Sequence, residues 1–275
     1  MSNRITVEEQ LKKYPPIWPR YLIEIAGCTA IYLLSNYTLN QTQINTRGLK
    51  IAKAAVIGLL HPSWELITRL DSSGLLYMLL ETLAIAFLGT IIGLVIALPI
   101  AFLSSRNVAP KWVNYIFLTI ISIIRAFPAF IYGIMFIRVT GLGAHAGVLT
   151  MSISSVGMLA KLLIEAIEDM NPGIIEALDA SGCSGFEKIR YGIIPQLSSN
   201  IVSIVIYRLD INVKNASILG VVGAGGIGAS FIFSIGKQAW NEVSAMLLGL
   251  IVLGGALEYF STKIRVRLAS GESSY

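Results

Sequence analysis

The sequence predicts an all-α polytopic membrane protein of about six transmembrane helices, on three observations. Of its 275 residues, 55% are hydrophobic and only 13% charged, against roughly 25% charged in soluble domains. Several apolar runs reach the roughly 20 residues that cross a bilayer as a helix. Between two of these runs lies 165–196, EAIEDMNPGIIEALDASGCSGFEKIRYGIIPQ, a charged and glycine-punctuated stretch. Such polar sequence cannot sit in hydrocarbon, so it belongs outside the bilayer on one side.

Residues 1–20 are polar, carry Arg4, Lys12, Lys13 and Arg20, and contain the breaker Tyr14-Pro15-Pro16. No small-residue cleavage site follows the next apolar run, so no cleaved leader is expected. The first span is placed at 21–39, with Glu24 near its start. Over 44–60, apolar residues fall at helical spacing beside Arg47, Lys50 and Lys53, the pattern of a helix lying in the membrane interface. Trp64 suits the same headgroup level. The second span, 75–103, has Glu81 near its start, a late Pro99, and Gly89 and Gly93 four apart. That glycine spacing lets a neighbouring helix approach closely.

After the basic loop 104–111, the third span, 112–139, is interrupted by Arg125-Ala126-Phe127-Pro128. The turn Gly141-Leu142-Gly143 leads to the fourth span, 146–164. Within 165–196, Asn171-Pro172 starts a helix that runs to Ala180, and Gly182 stops or turns the chain. A second short helix at 186–191 is expected to end at Pro195. The fifth span covers 197–219 and a glycine run follows from Gly223 to Gly228. Residues 231–240 form a short extracytoplasmic element, and the sixth span, 243–260, ends in the basic tail Lys263, Arg265 and Arg267. The expected organisation is 1–74 (tail, first helix and interfacial segment), 75–261 (transmembrane core, with the polar loop at 165–196) and a tail at 262–275.

Six crossings put both termini on one side. The N-terminal tail, the 104–111 loop, Lys188 with Arg190, and the C-terminal tail then share that side. The opposite side has Lys237 and the basic residues of the interfacial segment. The positive-inside tendency therefore places 165–196, and both termini, in the cytoplasm. The net charge of +5 reflects that asymmetry rather than nucleic-acid binding, since no basic face with interleaved aromatics occurs.

Cys28 and Cys183 make neither a disulfide framework nor a metal spacing, and His61 and His145, each near a Gly or Pro, read as loop residues. No metal site is expected. No G-x-x-x-x-G-K-[ST] occurs, so this chain does not hydrolyse ATP by that mechanism; ATP, if used, is held by another subunit. No His/Asp/Glu constellation at catalytic spacing suggests an enzyme. Gly223, Gly225, Gly226 and Gly228 lie within a G-x-G-x-x-G, but after a membrane span with no βαβ unit around it. Close backbone packing or a gate-like turn at the outer mouth accounts for them better.

Ionisable groups inside spans are costly and mark function by default. Arg125 and Arg208 both fall well inside apolar runs. Asp210 and Lys214, four apart, can pair on one helix face, whereas Arg208 and Asp210 point apart. Both arginines thus lack a partner on their own helix. One reading has them line a passage for a small anion, because guanidinium matches oxyanions bidentately. The other has them pair structurally with an acid on another span, such as Glu81.

Two blocks resemble a known family. Glu176-Ala177, Ala180, Gly182 and Ile194-Pro195 resemble the EAA loop of ABC importer permeases, with Leu178 in place of the second alanine and Gly192 in place of an isoleucine. R-A-F-P at 125–128, G-L-G at 141–143, R-Y-G-I-I-P-Q at 190–196 and Y-R-L-D-I-N-V-K-N-A-S-I-L-G-V-V-G-A-G-G-I-G at 207–228 are similar to the phosphonate-type branch of those permeases. Asp210 replaces that branch's glutamate and Lys214 its arginine, whereas a small alanine or glycine before I-x-P, as at Gly192, is also tolerated there; the resemblance covers 75–260 and is weak before it.

The resemblance implies a methionine-importer-like (MetI-like) permease core in a bacterial cytoplasmic (inner) membrane, working as a homodimer. It implies two cytoplasmic ATPases that hold ATP and Mg, and an extracytoplasmic substrate-binding protein. Glu176, Ala177, Ala180, Gly182, Ile194 and Pro195 would couple to the ATPase, and Arg125, Pro128, Arg208 and Asn212 would line the passage. Asp210, Lys214 and the glycine run would be structural or gating. A permease for another solute such as methionine, and a gradient-driven secondary transporter, are the alternatives. Phosphonate, phosphite and related anions are not distinguished by sequence.

Overall fold

The computed structural model describes residues 18–39 and 46–269. The polar start with Tyr14-Pro15-Pro16 and residues 270–275 lie outside them. The chain forms two compact units, Met1–Lys53 and Ala54–Tyr275. The first carries α1 (Trp18–Leu39), at the place expected for the first span, and the start of α2 (Thr46–Leu59). In the second unit follow α3 (Trp64–Thr68), α4 (Leu75–Ser104), α5 (Lys111–Ala126), α6 (Ala129–Thr140) and α7 (Ala144–Glu168). Then come α8 (Pro172–Ala180), α9 (Gly185–Glu187), a wide π turn (Lys188–Ile193), α10 (Ile194–Val221), α11 (Ile227–Gly236) and α12 (Trp240–Ala269).

Among the described residues, four helical stretches are long and apolar enough to cross a membrane: Leu75–Ser104, Ala144–Glu168, Gly185–Gly220 and Trp240–Arg267. They match the second, fourth, fifth and sixth spans expected from sequence. The third expected span carries its interruption where the sequence places it, at 125–128. It is two helices, α5 and α6, bent by 86° at Phe127-Pro128. Pro128 has no N–H to continue the ladder, and its ring disfavours helical geometry at Phe127, which is extended (φ −101°, ψ 132°). The Tyr132 hydroxyl donates to Ile124 O at 2.8 Å, satisfying one carbonyl freed by the break. Six crossings are thus not reproduced as six continuous helices.

The α4–α7 pair is the centre of the second unit. Lipid is as apolar as leucine, so close packing rather than the hydrophobic effect holds helices together here. Gly89 and Gly93 supply it: a Cβ at either would run into Met151 or Ser155 of α7. Below this contact Ala97 and Ala101 of α4, Ile121 of α5, Leu159, Leu163 and Ile167 of α7, and Leu197 of α10 form one buried cluster. Pro99 stays within α4 without ending it.

Helix ends are satisfied locally. Asn114 at the start of α5 donates its amide to Ser104 O at the end of α4. Asn107 donates to the Ile167 and Glu168 carbonyls at the end of α7 at 3.4 and 3.3 Å. The 104–111 loop is therefore also a cap on the end of α7, not only a basic linker. His61 lies in a loop as expected, but His145 belongs to the first turn of α7.

Candidate functional site

Three places hold the residues singled out from sequence. The first is the polar segment between α7 and α10. Asn171 caps α8 by accepting from Gly173 N at 2.9 Å, and Pro172 opens the helix. Ile174 and Leu178 turn inward, whereas Glu176, Ala177 and Ala180 are exposed. The chain reverses at Gly182, whose φ of +74° disfavours any residue with a Cβ. Ser184 and Glu187 then form a capping box, Glu187 N donating to Ser184 Oγ at 3.4 Å and Ser184 N to Glu187 Oε2 at 2.7 Å.

Pro195 does not end this second helix, contrary to the sequence expectation. The ladder widens first: Ile194 N donates to Ile189 O, five residues back. The wide turn accommodates the missing N–H and the ring of Pro195, and the backbone continues directly into α10. Ile194 and Pro195 thus lie in the first turn of a span, both exposed.

The second place is a buried polar chain across α4, α7 and α10, at the depth of Arg208. That residue is 14 positions beyond Ile194, which puts it roughly 21 Å along α10 at 1.5 Å per residue. Arg208 is only 4% exposed. Its Nε donates to Ser155 Oγ at 3.0 Å, one terminal nitrogen to Ser154 Oγ at 2.9 Å and the other to Met158 Sδ at 2.9 Å. One turn on, the fully buried Asn212 donates its amide to Thr90 Oγ1 and Ser155 Oγ, each at 2.8 Å. Asn212 Oδ1 is buried with no partner.

All of Arg208's hydrogen bonds go to neutral acceptors, so Glu81 is not its partner. Arg125, in the last turn of α5, is exposed, and its stem lies over Gly157 of the same α7 turn, where a Cβ would come within 2.9 Å of Arg125 Cγ. The structure therefore brings both arginines to α7 residues 154–158, an association not visible in sequence. Pro128 sits two residues past α5, at the bend itself. Asp210 and Lys214 pair at 2.9 Å as their spacing suggests, and Glu258 of α12 adds a third charge at 3.8 Å from Lys214.

The third place joins two turns that read as separate in sequence. Gly143 N donates to Gly223 O at 3.0 Å, and a Cβ at Gly225 would come within 2.6 Å of Ala144 N. Ile227 N donates to Thr82 Oγ1 at 2.9 Å, pinning the run to α4. Gly228 meets Gly220 backbone to backbone, so α10 and α11 cross with no side chain between them. The dinucleotide fingerprint is set aside: this run joins two helices, and no strand flanks it.

Among the described residues no group of three or more His, Cys, Asp or Glu could hold a metal ion. The sequence matches the family described as "binding-protein-dependent transport system inner membrane component" over residues 89–265. It is 34% identical over 188 residues to the phosphite transport system permease protein PtxC of Stutzerimonas stutzeri, covering 68% of each chain. It is 33% identical over 199 residues to the phosphate-import permease protein PhnE of Mycolicibacterium smegmatis, covering 72% of this chain and 37% of that one. The chain thus spans about two thirds of the length of the first curated relatives it matches. The fold is similar to that of the inward-facing MetNI methionine ABC transporter, with a TM-score of 0.63 at 24% identity, covering 70% of this chain and 95% of the solved one. With its α4–α7 core, glycine turns and polar α7–α10 segment all inside or bordering the matched region, the chain belongs to the inner-membrane permease family of binding-protein-dependent ABC importers.

Proposed function

We propose that the chain is the permease subunit of an ATP-driven importer for a small phosphorus oxyanion, phosphite or a phosphonate, and works as a homodimer. Two cytoplasmic ATPase subunits hold ATP and Mg, an extracytoplasmic binding protein delivers the anion, and both termini are cytoplasmic. The 75–261 segment is the permease core in this reading, with tails on either side. The phosphite, phosphate and phosphonate transport of the relatives supports the substrate class. The observation that carries it is Arg208: a buried guanidinium in mid-span, bonded to hydroxyls and a thioether and, among the described residues, to no carboxylate. An uncompensated charge at that depth is costly, and an oxyanion reaching α7 and α10 offsets it with charge-assisted hydrogen bonds.

Uptake of radiolabelled phosphite into proteoliposomes holding the complete complex tests the substrate. Unlabelled phosphite and alkylphosphonate are expected to compete, and methionine is not. Competition by methionine alone would overturn the assignment.

The exposed face of α8, Glu176, Ala177 and Ala180, is proposed to dock in the ATPase, with Gly182 setting the angle of the helices that follow. A β-branched residue at Gly182 must adopt φ near +74°, a strain of about 1–2 kcal/mol in a turn with no packing to hold it. Gly182→Val is expected to insert normally and to reduce ATPase stimulation on the order of tenfold. Unchanged stimulated turnover would count against the docking role.

A further inference from the structure

The two positions at which the polar segment departs from the general EAA pattern, Leu178 and Gly192, touch each other. Gly192 is buried, and a Cβ there would run into Leu178 Cδ1, with Ile174 Cγ2 at 4.0 Å. Leu178 therefore fills a hole that exists only because residue 192 has no side chain. One residue further along α8, Asp179 forms an ion pair with Lys188. Gly192 and Lys188 both belong to the π turn at the base of α10. The same turn is rooted in the core: Ile193 is 2% exposed and packs in the cluster with Leu163, Ile167 and Leu197.

We propose that Leu178 seated over Gly192, held in register by Asp179–Lys188, is the clutch that makes α8 and the base of α10 move as one body. No other protein segment needs to carry the displacement, because the π turn, α10 and the Arg208–Asn212 chain follow on one continuous helical backbone. Leu178 and Gly192 act here as positioning residues: neither meets the anion. The complementary sizes are the point. A leucine where the pattern has alanine is accommodated by a glycine where it has isoleucine, so the pair conserves volume while each residue alone would not. The wide turn helps, since a π turn places a residue out of the usual helical register and such turns recur at functional sites.

This clutch rests on the reading of α8 as the ATPase-docking helix, and the test keeps the two apart. Uptake per ATP hydrolysed is measured in proteoliposomes containing the full complex, for Leu178→Ala, Gly192→Ile and the double variant Leu178→Ala/Gly192→Ile. Each is compared with the parent after assembly is checked by gel filtration. Leu178→Ala empties the contact without a clash, and uptake per ATP is expected to fall on the order of tenfold, equivalent to a lost coupling free energy of about 1.4 kcal/mol. Gly192→Ile is expected to fall at least as far. The double variant, which restores the volume with the sizes exchanged, is expected to return to within roughly threefold of the parent, a non-additivity that independent sites do not show.

If Gly192→Ile fails to assemble, the comparison of Leu178→Ala with the double variant still decides. Normal coupling in Leu178→Ala, or a double variant no better than Leu178→Ala, overturns the clutch. In parallel, an Ala177→Cys variant is cross-linked to the ATPase subunit. Absence of cross-linking removes the docking reading and the clutch with it, whereas cross-linking with fully coupled Leu178→Ala removes the clutch alone.

Discussion

Replacing Arg208 with alanine is expected to lower anion uptake by roughly 10–100-fold, the range set by losing a charged hydrogen-bonding group of about 1.5–3 kcal/mol. The loss acts on the transported anion rather than on folding. Asn212 keeps its bonds to Thr90 and Ser155, so Ser155 Oγ retains a partner. Arg208→Lys retains the charge but not the planar fork that reaches three acceptors at once, so it is expected to recover only part of the uptake. Arg125→Ala removes an exposed charge above the same α7 turn and is expected to have a smaller effect on the same assay. Parent-level uptake by an assembled Arg208→Ala complex would show that the buried guanidinium serves architecture only.

The second large effect is on folding. Gly228→Val is expected to cost more than about 3 kcal/mol and to abolish recovery of monodisperse protein, because overpacking of this kind cannot be relieved by a rotamer change. A Cβ at position 228 would meet Ser217 O and the Gly220 backbone, and backbone does not step aside. Gly236→Ala is the control. Nothing lies within 4 Å of a Cβ there, so its melting midpoint in detergent is expected to stay close to the parent's. Equal yields and midpoints for both variants would mean that α10 and α11 do not cross as described.

The spans were legible because lipid-facing helices write their length directly into hydropathy. The expected 75–103, 146–164, 197–219 and 243–260 fall inside α4, α7, α10 and α12. Gly89 and Gly93 were legible for the same reason: small residues one turn apart have few uses in a membrane other than close approach. Four features were hidden. The partners of Arg208 are two serines and a methionine some fifty residues earlier, residue types with no spacing signature of their own. The Arg125–Pro128 interruption was visible, but its angle depends on Phe127 adopting an extended backbone, which hydropathy does not report. Pro195 was misread as a terminator because the local rule assumes an ordinary ladder, whereas a wide turn precedes it. The touching of Gly143 with Gly223, like that of Leu178 with Gly192, pairs glycines and an aliphatic whose single-residue signals point only to turns and core.

The right-angled break between α5 and α6 has a consequence for the surrounding bilayer. Sixteen residues of α5 rise only about 24 Å, short of the roughly 30 Å hydrocarbon thickness. Acyl chains beside α5 must therefore shorten, or water must reach down to its far end, where Arg125 sits. Either way the mismatch falls at the end of α5 that carries Arg125, so lipids of longer chain are expected to strain the protein at that spot.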